Sequence, residues 1–176
     1  MVADTNDGRM HLALARILVR DIRGLISEIE AYPADASVWE TASGVTNSGG
    51  NLALHVAGNV QYFIGAVLNS SGFIRDRDAE FTSRGRPRAR LLAELEAAIT
   101  AVEQTLPRLT AEQLAAEYPV PVAGRRVRTS DMLVHLAAHL GYHLGQVDYH
   151  RRFVTGDGPL DVVSPRDLPE YRSDTA

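Results

Sequence analysis

Three histidines at four-residue spacing, His135, His139 and His143, run through HLAAHLGYHLGQ, and a fourth, His55, stands in the apolar segment NLALHVAGNVQYFIGAVLN far upstream. Residues four apart lie on one face of a helix, so His139 and His143 can aim two imidazoles at one point. A third nitrogen from another helix would hold a zinc-like ion with one position open, the usual mark of a catalytic rather than a structural site. The alternative is a set of core histidines, each nitrogen with a hydrogen-bond partner, because a neutral imidazole in an apolar interior is costly without one. His55 shares a helical lane with Asn51, Asn59 and Tyr62, four polar groups that read as the wall of a polar cavity. Spacing alone leaves His55 open between core histidine and ligand.

Composition narrows the chemistry. A chain of 176 residues, 45% apolar, reads as a single domain over 1–176 with a core at about 9–155 and an irregular tail at 156–176. It has no cysteine, which excludes disulfides, Cys-ligated zinc, iron–sulfur clusters and a protein thiol nucleophile. Any thiol chemistry must take its sulfur from a bound small molecule. The net charge of -4 argues against a nucleic-acid partner, since phosphate neutralisation needs a basic surface. The start, MVADTNDGRM, is acidic and lacks a signal-like apolar stretch, and no apolar run approaches the ~18 residues of a membrane span. The expectation is a cytoplasmic protein with no membrane partner.

The elements that must position the histidines follow from periodicity. Leu14, Ile17, Leu18, Ile22, Leu25, Ile26 and Ile29 predict an amphipathic helix over 9–32, ended by Pro33. The stretch 34–50 reads as a loop with turn glycines at Gly44, Gly49 and Gly50, and an Asn or Ser available as a cap. A second helix follows over 51–69, apolar nearly all round and hence buried on most sides. The charged segment 70–86 reads as a loop, with Pro87 at the first turn of a third helix to Thr105. Thr110 to Gln113 form a capping box opening a short helical piece, and a small irregular hairpin is possible around Gly124. Thr129 or Ser130 caps the last helix, 131–154, which Gly156 ends. These long helices predict an all-α four-helix bundle with a long crossover loop.

NSGGNLALHVAGNVQYFIGAVL, followed some seventy residues later by HLAAHLGYHLGQVDYHRR, resembles the DinB/YfiT-like metalloenzyme superfamily, close to its DUF1572-type branch. The likeness spans most of 9–155. It implies an up-down-down-up bundle, usually dimeric, with one divalent ion, zinc or nickel foremost, held by His55, His139 and His143. His135 lies outside that triad; we expect it to support the site, with Asp131 as an orienting carboxylate, and Gln146 to line or close it. Asn59, Tyr62 and Tyr142 are expected to line the cavity. The resemblance further implies a metal-dependent enzyme that activates a low-molecular-weight thiol for S-transfer to a small electrophile, in detoxification or stress response. The alternatives are a metal-dependent hydrolase and a non-catalytic metal-binding dimer.

Other motifs are absent or weak. The position after His139, where a zinc protease carries its glutamate, is Leu140, and there is no GxSxG, phosphate loop or GxGxxG. Arginines cluster at Arg84, Arg86, Arg88 and Arg90, and at Arg125, Arg126 and Arg128, where a solvated surface is the simplest reading. Arg151 and Arg152 are candidates for an anionic cosubstrate, because arginine grips carboxylate and phosphate bidentately. A homodimer is expected, since the second helix needs more cover than one layer supplies.

Overall fold

Leu18, Ile22, Leu25 and Ile29 have no exposed surface, as a helix with a single apolar stripe requires when that stripe meets a core. They lie on α1, Met10–Glu30. The structure, a computed structural model, describes residues 10–41 and 44–165. After a 3-10 turn at Ser37–Trp39 come α2, Gly49–Val60, a π-helical segment, Gln61–Ala66, and α3, Val67–Asn69, as one continuous rod. Then follow α4, Arg77–Thr82, α5, Arg88–Thr105, α6, Ala111–Ala115, and α7, Thr129–Thr155. The fold is all-α. Among the described residues there is no strand; two isolated bridges, Glu117 to Arg128 and Val122 to Arg125, flank the turn at Ala123 and Gly124.

The long helices close a ring in which α1 packs on α5 and α7, and α2 packs on the same two from the other side. Glu28 meets Arg151 near the C-terminal ends of α1 and α7, so these run together. Arg23 pairs with Glu103, and Arg88 donates to the Glu30 carbonyl, so α5 runs against α1. The start of α2 lies beside His150, near the end of α7, so those two oppose each other. No helix among the described residues is long and apolar enough to cross a membrane.

Several local expectations are corrected. Gly49 and Gly50 are not turn glycines: they open α2 behind a Ser48–Asn51 capping box. A Cβ on Gly49 would collide with the Tyr32 hydroxyl, and one on Gly50 would come within 2.9 Å of the Trp39 indole. The segment 70–86 is not all loop, because the Asp76 side chain accepts from the Ala79 amide and starts α4. Nor does Thr129 or Ser130 cap α7; the Thr129 hydroxyl instead donates to the Ala116 carbonyl. The described part of the tail packs against the bundle, with Val162 against Gly24. The rest of the tail, 166–176, and the acidic start, 1–9, lie outside the described residues.

Candidate metal centre

The four-residue spacing on α7 does what helix geometry requires: the Nε2 atoms of His139 and His143 stand 3.1 Å apart. From α2, His55 places its Nε2 3.3 Å from that of His139. The ligand nitrogens of all three lie within 4.8 Å of one another, a group that could hold a metal ion. Around a tetrahedral ion with metal–nitrogen bonds of ~2.0–2.1 Å, ligand nitrogens sit about 3.3 Å apart, so the two short spacings fit such an ion.

Hydrogen bonds decide which nitrogens are free. The His55 Nδ1 lies 2.9 Å from Glu80 Oε2 and the His143 Nδ1 lies 2.7 Å from Gln146 Oε1, so each Nδ1–H donates outward. Both Nε2 lone pairs then turn inward toward His139 Nε2. One N–H on His139 can serve only one of them, whereas a cation serves all three. Burial comes first in lowering the His139 pKa to about 4, followed by repulsion from His143, His55, His135 and Arg75. The same burial lowers His143, partly offset by Gln146. His139 and His143 are therefore neutral at pH 7, as ligation demands.

The carboxylate that orients the cluster is Glu80, on the short helix α4. It is 6% exposed and is gripped by Arg75, Nε to Oε1 at 2.7 Å and Nη2 to Oε2 at 2.8 Å. Burial alone would raise the Glu80 pKa; the hydrogen bonds from Arg75 and His55 overcome it and hold the carboxyl below its usual value. Asn51 fixes the backbone here, its Nδ2 donating to the carbonyls of Glu80 at 2.9 Å and Ser83 at 3.0 Å. Gly58, one turn after His55, clears the space: a Cβ there would collide with Glu80 Oε1.

The other expected site residues divide. Gln146 and Tyr142 touch His143, the latter edge-on at 5.2 Å between ring centroids. His135 is exposed, 5.8 Å from the His139 ring. Asp131 is exposed in the first turn of α7, and no hydrogen bond joins it to His135, so the orienting role expected of it belongs to Glu80 on His55. Asn59 is buried on α2, and Tyr62 packs edge-on against Phe63. Arg151 is corrected: 1% exposed, it pairs with Glu28 and donates to the Gly158 carbonyl at 2.9 Å, leaving no free guanidinium edge for an anion. Arg152 stacks over Tyr149 at 5.0 Å and reaches Asp148 at 3.5 Å. Sequence reading missed Glu80 and Arg75 because they lie in a charged stretch; the one local signal was Asp76, an N-cap four residues before Glu80.

No curated protein matches the chain. The family model described as the DinB superfamily matches residues 17–147, a span that holds all three converging histidines, and the chain belongs to that superfamily.

Proposed function

We propose that His55, His139 and His143 hold one divalent ion, zinc or nickel, and that the protein is a cytoplasmic enzyme using it to activate a low-molecular-weight thiol for S-transfer to a small electrophile. One observation carries the metal reading: the ligand nitrogens of the three histidines converge within 4.8 Å, two of their spacings at tetrahedral distance, while the outer nitrogens of His55 and His143 are taken by acceptors. When bound, an ion on three neutral ligands keeps its full formal charge and supplies the Lewis acidity that lowers the pKa of a thiol or water. The residues of the chain do the positioning. Glu80, braced by Arg75, sets the tautomer of His55, and Gln146 sets that of His143. The thiol reading is supported by the absence of any cysteine, so that a sulfur nucleophile has to be brought in.

Elemental analysis of the untagged protein should find one divalent ion per chain, and the cobalt-substituted protein should gain a charge-transfer absorption with a suitable thiol. A cobalt spectrum indifferent to every thiol, together with metal-dependent ester hydrolysis, would select the hydrolase alternative. We further propose a homodimer, which light scattering at micromolar concentration would disprove with a mass near 19.2 kDa.

A further inference from the structure

Beside His143 the surface opens into a cleft of about 680 Å³, walled by the loop at 44–47 on one side and by α7 on the other. Tyr142, Tyr149 and Phe153 stand on this face of α7, exposed to 65%, 71% and 74%, with Val45 across from them and buried Leu52 among the lining residues. Scattered exposed apolar side chains are ordinary, but a contiguous group lining one concavity marks a binding surface. The volume lies in the range of small-molecule sites, ~300–1,000 Å³.

Its electrostatics are distinctive. Among the described lining residues there is no Asp, Glu, Lys or Arg; the polar groups are Thr46, Asn47, Gln146, the two histidines and the hydroxyls of Tyr142 and Tyr149. Arg151 is buried against Glu28, and Arg152 covers a face of Tyr149 while paired with Asp148, so neither is among the residues that line the cleft. A carboxylate, phosphate or ammonium entering it would shed hydration without meeting an opposite charge from the side chains that line it. A neutral aromatic or aliphatic group would meet aromatic faces that cost little entropy to order and a few hydrogen-bonding groups to orient it.

We propose that this cleft binds the uncharged, apolar portion of a small substrate and holds it alongside the His143 edge of the histidine cluster. The inference rests on the metal reading only for where the reacting end of the substrate lies; binding of the apolar portion does not require the ion.

The test uses the full chain, metal-loaded and chelator-stripped, with two probes of one shape, 1-naphthalenemethanol and 1-naphthalenesulfonate, followed by fluorescence and ligand-observed NMR. In the chelator-stripped protein the neutral probe should bind more tightly than the sulfonate. Tyr149→Ala and Phe153→Ala should each weaken it about tenfold, the loss expected of one aromatic contact together with its buried area. Val134→Ala, another exposed apolar position on α7, should leave it unchanged. Thr46→Arg should shift preference toward the sulfonate. Tighter sulfonate binding to the unaltered, chelator-stripped protein, or Tyr149 and Phe153 variants with unchanged affinity, would overturn the proposal. So would loss of dimer mass in those variants without an effect on the probe, which would make the patch a contact between copies. Metal content separates the two readings: protein that binds the probe but no metal defeats the metal centre alone, and protein that binds metal but no probe defeats the cleft alone.

Discussion

Two polar clusters lie about two turns apart on α7, built from similar residues: His150, Arg151 and Glu28 are buried, as is His55, whereas His139 and His143 are half-buried. Near the helix end, His150 accepts from the Tyr32 hydroxyl at Nδ1, 2.6 Å away, and donates from Nε2 to the Glu40 carbonyl at 2.9 Å, while Arg151 beside it pairs with Glu28. Both nitrogens of His150 are satisfied by the protein. In the middle of the helix, His139 and His143 meet His55, and there the outer nitrogens of His55 and His143 are satisfied while the inner ones face one another. Burial alone does not separate the two cases, since His55 and His150 are equally buried. What separates them is where the remaining lone pairs point: into hydrogen bonds that lock α7 to α1 and the following loop, or toward one another at the spacing of an ion.

The sharpest way to break this contrast is to remove one partner of the satisfied cluster. Arg151→Met leaves the fully buried Glu28 uncompensated and should cost about 3–5 kcal/mol in denaturant unfolding. If the variant stays folded at low temperature, its metal content should be unchanged. In the histidine cluster the balance reverses. His143→Ala should reduce metal affinity by more than about 100-fold while shifting metal-free stability by less than about 1 kcal/mol, measured by competition with a chelator and by urea unfolding.

Next in size come the residues that aim the cluster. Glu80→Gln should weaken metal binding about 10–100-fold, and Gly58→Ala should do the same, because the added methyl displaces the Glu80 carboxylate. Equal affinity in both variants and the parent would show that His55 does not depend on Glu80.

Acid should report both clusters together. Burial lowers the pKa values of His139, His143 and His150 below the 6.5 of an unfolded histidine. As pH falls through 6.5 the unfolded chain takes up protons that the folded one refuses. Stability present above pH 6.5 is therefore lost on the way toward pH 4, with a slope of roughly 1.4 kcal/mol per pH unit for each such proton. In the metal-free His139→Ala/His143→Ala protein the share of His139 and His143 should vanish and that of His150 persist; an undiminished slope would mean that His139 and His143 titrate normally. The smallest effect is expected at His135, which is exposed: His135→Ala should change metal affinity less than about threefold.

Much of this molecule is local and so was legible in its residues. The spacing of Leu18, Ile22, Leu25 and Ile29 sets α1, the Thr110–Gln113 box opens α6, Gly156 closes α7 at a positive φ of 77°, and the interval from His139 to His143 sets one edge of the histidine cluster. Each depends on contacts within about one helical turn, where the backbone geometry is known before the fold is. Tertiary structure alone decided that Glu80 and not Asp131 orients a cluster histidine, that Arg151 is buried, and that Gly49, Gly50 and Gly58 make room for Tyr32, Trp39 and Glu80. Those outcomes join residues 11 to 123 positions apart in the chain, and no periodicity encodes them: which partner satisfies a buried charge or fills a missing Cβ is settled only when helices meet.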